Sequence, residues 1–224
     1  MSVNDSVEKS NAVDEKTTWQ AKKSAMTRTR ILDATIECFV EHGYNNLTTT
    51  SVADVAGISR GAMRHHFLSK KDLIQAAVKH LHKKVLEDFT LVISLVSKNL
   101  VGKDLIRERL YAYWQHANSD LFLVYQEICM VARTTPELKE ILEQSVKDFE
   151  RFATNSIANL FQEWGGYSDS LFLAIDTTKF LIEGMALGQI VSNKDERIKR
   201  QLDYLVDRID QIFNEGMAQP AADC

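Results

Sequence analysis

The sequence predicts an all-α fold, and two observations carry that prediction. Only two prolines and nine glycines occur in 224 residues, too few for the many short turns of a β-sandwich or barrel. Apolar residues recur at three- and four-residue spacing along most of the chain, the period of helices that bury one face. With 45% apolar and 26% charged residues, the chain can build a core and is neither disordered nor fibrous in composition.

Each expected helix has its own start and stop. Residues 1–20 are rich in Ser, Asn, Asp, Glu and Lys, with Trp19 as the one large apolar group, and read as a flexible arm. From about 22 to 42, Ile31, Leu32, Ala34, Thr35, Cys38 and Phe39 share helical spacing, and Gly43 stands where a helix-terminating glycine belongs. Hydroxyls at Thr48 to Ser51 can cap a two-turn helix that Gly57 stops, and Ser59 can cap a second short helix over Arg60 to Phe67. Ser69 caps a long helix that reaches about Val96, ended by the Val101-Gly102-Lys103 break. Asp104–His116 and Asp120–Arg133 follow, the latter capped by Ser119; Thr135 and Pro136 then open a helix that can run to Trp164. Ser168 to about Val191 and Asp195 to about Glu215 complete nine expected helices, in domains of 21–72 (helix-turn-helix) and 73–216, with 217–224 a flexible tail.

Composition also bounds the setting. Cys38, Cys129 and Cys224 are odd in number and far apart, so neither a disulfide framework nor paired metal ligands is expected. No stretch approaches the length of a membrane span, since the apolar run from Phe180 to Val191 already contains Glu183, and the N-terminus lacks the basic and apolar regions of a signal peptide. A cytoplasmic protein without a membrane partner or cofactor is expected. The formal charge of −4 argues at face value against a phosphate-rich partner, but residues 21–91 hold 11 Lys and Arg against 7 Asp and Glu, while the arm and the body are acidic. The chain is polarised, with its basic charge on the helix-turn-helix segment.

The run from Thr48 to Leu73, TTTSVADVAGISRGAMRHHFLSKKDL, resembles the DNA-binding segment of the tetracycline-repressor (TetR) family. So do Arg30-Ile31-Leu32-Asp33-Ala34 and the Phe39 to Gly43-Tyr44 ending of the preceding helix. The resemblance spans roughly residues 24–75; beyond it only helix number and length agree. It implies an all-α regulator whose Thr49, Ser59, Arg60, Arg64, His65, His66 and Lys70 meet double-stranded DNA. Position 64 departs from the pattern, because the family often has tyrosine there; arginine can hold a phosphate or pair with guanine instead.

The residues support this reading by their own chemistry. Gly61 and Ala62 let a helix backbone approach a groove, while Met63 and Phe67, four apart, share a face that can dock on the first helix. Thr49 combines a hydroxyl with helix N-terminal amides, and Lys70, badly placed for the helix dipole, makes sense beside a phosphate. The same shape also serves as a mere structural corner. Adjacent His65 and His66 point in different directions and have no third ligand at metal spacing, so no metal site is expected. His80 and His82 read as surface residues.

In the last helix, Ile198, Leu202, Leu205, Ile209 and Ile212 follow 4, 3, 4, 3 spacing, the seam of a helix packed lengthwise on another. With Gly184 and Gly188, which invite close backbone approach, they are assigned to a homodimer interface; packing within one chain is the alternative. A dimer would place two recognition helices about 34 Å apart, matching a near-palindromic operator. The resemblance further implies a cavity for a small-molecule effector, for which Tyr111, Trp114, His116, Phe122, Tyr125, Gln126, Arg133, Phe152 and Asn155 are candidates, with mostly apolar walls and few polar groups. The expected function is therefore a homodimeric repressor released from its operator by a small, largely apolar effector. An enzyme is disfavoured, since there is no phosphate-cradling glycine loop, G-x-S-x-G or H-E-x-x-H, and no catalytic residue is assigned. A helical scaffold would use the same apolar stripes but leaves the Thr49 to Lys70 constellation without a role.

Overall fold

The computed structural model describes residues 4–97, 99–143, 145–147, 169–188 and 194–218, with side chains from residue 19 to 215. Among these residues every regular element is helical. The elements are α1 (Asn4–Asn46), α2 (Thr49–Val55), α3 (Arg60–His66), α4 (Lys70–Ser94), α5 (Gly102–Ala117), α6 (Asp120–Ala132), α7 over 136–143, α8 (Asp169–Leu187) and α9 (Lys194–Ala218). The chain divides into two compact units, Met1–His80 and Leu81–Cys224. The division falls inside α4 rather than at the 72/73 boundary read from sequence, because α4 contributes its first turns to one core and its later turns to the other.

In the first unit, local capping chemistry sets the short helices. Thr48 takes the Ser51 amide on its hydroxyl at 3.0 Å while Ser51 reaches back to the Thr48 backbone, a reciprocal cap that starts α2. At the other end, Gly57 has φ +62°, and the amides of Gly57 and Ile58 donate to the carbonyls of Asp54 and Ala53. That left-handed turn with crossed hydrogen bonds ends α2 and re-aims the chain. Ser59 then accepts from the Ala62 amide at 3.1 Å to start α3, and Ser69 accepts from Asp72 to start α4. Ile31, Cys38, Phe39, Leu47, Val52, Ala53, Met63, Phe67, Leu73 and Ala77 are buried and form this unit's core.

The helix over α1 starts at Asn4, well before the expected position near residue 22, so the N-terminal stretch read as a flexible arm is helical from there. Neither Gly nor Pro occurs between Asn4 and His42, and once a helix is nucleated each further residue adds one hydrogen bond. Gly43 (φ 72°, ψ 168°) breaks its regular geometry where the stop was expected.

The second unit is built on α5, α8 and α9. Leu171 and Ala174 of α8 pack with Ile209 and Ile212 of α9, and Ile106, Ile175 and Phe213 close around them. Of the residues expected to form a dimer seam, Leu202, Leu205, Ile209 and Ile212 are buried within the single chain, and Ile198 is half-buried. The 4-3 spacing reports that a helix packs lengthwise on other helices; it carries no information about which chain supplies them. Helix α8 differs, because Phe172, Leu173, Phe180 and Leu187 remain exposed on the face opposite its core side. His82 also departs from expectation. It is buried, with its ring edge against Tyr125 at 5.1 Å, and burial pushes its pKa down to about 4. His80, half-buried, shares a 2.8 Å hydrogen bond with Asp33. Of the expected α7, residues 148–164 lie outside the described residues, as do Ser168, 189–193 and 219–224.

Two outcomes follow from these positions. Leu205→Ala should cost about 2–5 kcal/mol by urea unfolding, whereas Tyr204→Ala, next to it but exposed, should cost under about 0.5 kcal/mol. Because His82 takes its proton near pH 6.5 in the unfolded chain but only near 4 in the folded one, stability should fall as pH drops through that window, by on the order of 3 kcal/mol. In His82→Gln the loss between pH 6.5 and 4 should be visibly shallower.

Candidate nucleic-acid interface

Helix α3 has two sides with different fates. Met63 and Phe67 are buried, while Arg60, Gly61, Arg64 and His65 are exposed. At 100° per residue, 60 and 64 stack one turn apart, and 61 and 65 do the same beside them, so these four share one outward face. Its chemistry is two guanidiniums, one imidazole and a bare backbone patch at Gly61. A Cβ placed on Gly61 would meet only the Ser59 hydroxyl, at 3.8 Å. Packing inside the protein therefore does not require glycine there.

Other expected members sit differently. Thr49 is the first residue of α2, half-buried, next to the Thr48 cap. Ser59 uses its oxygen as the α3 cap, leaving its hydroxyl proton to donate elsewhere. His66 lies off the outward face; its ring meets that of His65 edge-on at 5.5 Å, and burial, with His65 and Arg28 nearby, lowers its pKa, so it is neutral at pH 7. Lys70 has an intrachain explanation that the sequence reading lacked: its ammonium donates to the Leu47 carbonyl at 2.7 Å. This ties the start of α4 to the α1–α2 connection and leaves two of its three N–H groups for other acceptors. No group of three metal-ligating side chains exists among the described residues.

Sequence reasoning missed Arg28. Its Nη1 donates to the carbonyl of His66, the last residue of α3, at 3.1 Å, and its guanidinium lies 4.2 Å over the Phe67 ring. A cation at a helix C-terminus satisfies an orphan carbonyl and complements the dipole. The partners are separated by 38 residues, so no local pattern signals the contact.

The expected effector residues, all in the second unit, fall into two groups. Tyr111 and Trp114, three apart on α5, line an open cleft of about 340 Å³ with Asn118, Lys194, Asp195, Ile198 and Lys199. Two residues further round the helix, His116 joins Phe122, Tyr125, Phe89 and Tyr113 in an aromatic cluster with ring centroids 5.2–6.2 Å apart. Arg133 caps the C-terminus of α6 and is exposed, outside both groups; Phe152 and Asn155 lie outside the described residues. The cluster has two carboxylates at its edge. Asp88 sits 2.6 Å from His116 Nδ1, and since burial outweighs Asp88 and keeps the ring's pKa low, the neutral imidazole carries its proton on that nitrogen. Glu183 accepts from the Tyr113 hydroxyl at 2.9 Å, Gln126 at 3.1 Å and Lys179 at 3.2 Å. Burial and then Glu183 push the Tyr113 phenol well above its usual pKa, keeping it a donor. Of these partners only Gln126 and His116 were foreseen as candidates.

Residues 31–77 match the family model described as bacterial regulatory proteins, tetR family. The HTH-type transcriptional regulator CymR of Pseudomonas putida is 24% identical over 188 residues, covering 81% of this chain and 88% of that protein. The HTH-type transcriptional repressor AcnR of Corynebacterium diphtheriae is 32% identical over 137 residues, 59% of this chain and 66% of that protein. A solved structure from Mesorhizobium loti, assigned to the TetR-family transcriptional regulators, shares the fold with a TM-score of 0.58 at 18% identity, over 87% of this chain and 96% of that one. With a helix-turn-helix segment that matches the family model and an all-α body that follows the same fold, the chain is a member of the tetR family of bacterial regulatory proteins, a DNA-binding transcriptional regulator.

Proposed function

We propose that this regulator is a cytoplasmic homodimeric repressor that reads a near-palindromic operator through α3 and is released by a small, largely apolar effector. The observation that carries the DNA-reading part is the division of α3 into a buried side, Met63 and Phe67, and an exposed side of Arg60, Gly61, Arg64 and His65. Arginine offers guanine a bidentate donor pair, and the glycine removes the side chain that would hold the helix off the groove floor. Thr49, Ser59 and Lys70 flank this face with donors suited to phosphate, and His66 plays a lesser part. The repressor sense is supported by the similarity to AcnR, a transcriptional repressor.

For the dimer, α8 supplies the surface in this proposal. Phe172, Leu173, Phe180 and Leu187 are exposed on one side, and a Cβ added to the exposed Gly184 would meet nothing within 4 Å. Contiguous exposed apolar surface of this kind on a soluble chain marks an association site. Gly188 belongs to the same face, with Leu202, Leu205, Ile209 and Ile212 supporting it from behind. For the effector, the aromatic cluster around His116 offers apolar walls with Glu183, Gln126 and Tyr113 as orienting polar groups. Release requires the effector to bind more tightly to a dimer whose recognition helices are wrongly spaced for DNA.

The discriminating measurement is fluorescence anisotropy with DNA fragments at two salt concentrations, where affinity should fall steeply with salt. Arg64→Ala should weaken operator binding by about 1–3 kcal/mol with relaxed preference at one base pair; a loss equal on all sequences assigns Arg64 to phosphate. Gly61→Ala should separate folding from function: its stability should be unchanged or up to about 1 kcal/mol higher, while its operator affinity drops. Sedimentation showing only monomer at micromolar concentration would overturn the dimer. A compound that binds the protein without changing its operator affinity is not the effector.

A further inference from the structure

We propose that residues 19–30 of α1 are a second DNA-contacting surface, in which Lys22, Lys23 and Arg30 bind backbone phosphates flanking the base pairs read by α3. The inference rests on the α3 interface proposed above. Burial along α1 begins at Ile31; every residue from Trp19 to Arg30 is exposed except Thr27, which is half-buried. This part of the helix therefore extends beyond the core of its unit. It carries Lys22, Lys23, Arg28 and Arg30, and no acid occurs between Glu15 and Asp33. A basic, acid-free stretch of helix left outside the core is a surface for a partner, and the charge says which kind.

The basic groups are aligned rather than scattered. Lys22, Met26 and Arg30 are spaced by four, and Trp19 and Lys23 lie within about 100° of Lys22, so all five share one side of the helix. Lys23 stands 5.2 Å over the Trp19 ring. Trp19 and Met26 are 61% and 73% exposed, apolar groups suited to lie against deoxyribose while the cations hold phosphate. Arg28 supplies the continuity with α3. It points to the other side of α1 and bonds the last carbonyl of α3 at 3.1 Å, which holds this stretch next to the recognition helix. Residues 19–30 span about 18 Å of helix, roughly five base pairs at 3.4 Å each. An anionic membrane fits less well, because two apolar side chains do not make the broad apolar face that interfacial binding needs.

The test uses the full chain with Lys22, Lys23 and Arg30 all changed to Gln, and a control with Lys139, Arg197 and Arg200, exposed residues of the second unit, changed likewise. Anisotropy is measured on a selected operator and on random DNA across a salt series. The first variant should lose about tenfold or more in affinity on both DNAs, with the slope of log K against log salt reduced by about two to three, close to 0.9 for each phosphate released. Hydroxyl-radical protection should shorten by up to about five base pairs at each half-site, and the melting curve should be unchanged. An unchanged slope and footprint in this variant, while Arg64→Ala still weakens binding, overturns the α1 surface and leaves the α3 reading standing. Equal slope changes in the control reduce the effect to net charge and overturn it too. Wild-type binding to phosphatidylserine-rich vesicles that the variant loses, with its DNA binding intact, assigns the surface to membrane and overturns it as well.

Discussion

The burial of Met63 and Phe67 decides which side of α3 faces outward, and everything asked of that helix depends on it. Seven residues cannot hold a helix by propensity alone, so α3 exists because both ends are capped and one side is packed. Ser59 supplies the first cap and Arg28 the last, from the far end of the unit's sequence. The same guanidinium covers Phe67, so one side chain satisfies the C-terminal carbonyl and shields the apolar anchor. With those contacts made, rotation of α3 about its axis would bring an arginine into the core or expose a phenylalanine. Arg60, Gly61, Arg64 and His65 are outward because the alternatives cost several kcal/mol of burial and desolvation.

The second unit shows the difference between a helix with one apolar face and a helix with two. Helix α9 spends its single stripe on α5 and α8, and its outer side is polar, with Arg197, Arg200, Asp203, Asp207 and Gln211. Lys103 reaches that outer side and bonds Asp207 at 2.8 Å; the pair is exposed and adds little to stability. Helix α8 has Leu171, Ala174, Ile182 and Ala186 inside and Phe172, Leu173, Phe180 and Leu187 outside. Only the second pattern leaves apolar area for another chain. This is why the dimer proposal, which the sequence placed on both helices, rests here on α8 and its glycines.

Features governed by near neighbours in the chain were legible from sequence. Thr48, Ser59, Ser69 and Ser119 act as caps where their positions predicted, and Gly43 and Gly57 take the positive φ expected of stops. Contacts between distant residues were not legible. The bond from Lys70 to the Leu47 carbonyl spans 23 residues and left no local signal, and Arg28 had no visible role at all. His82 read as a surface residue because α4 was judged by its polar neighbours, although position 82 falls one residue from the buried Leu81 and three from Val85. Tyr111 and His116 were grouped by residue type; five positions on a helix is 140°, which sends them to different surroundings. Glu183 was noticed only as a charge too many for a membrane span, yet it receives three hydrogen bonds beside the aromatic cluster.

Net charge misleads for the same reason that spacing succeeds: the physics is local. At physiological ionic strength charges interact over about 8 Å, so a phosphate on α3 is governed by Arg60, Arg64, His65 and their immediate neighbours rather than by the chain's −4. What matters is whether bases are gathered without acids among them. Two stretches of the first unit meet that condition, the α3 segment from Gly57 to Lys71 and the α1 segment from Thr17 to Leu32, neither of which contains Asp or Glu. The bond from Arg28 to the end of α3 joins them, and a polyanion able to neutralise one would find the other within reach.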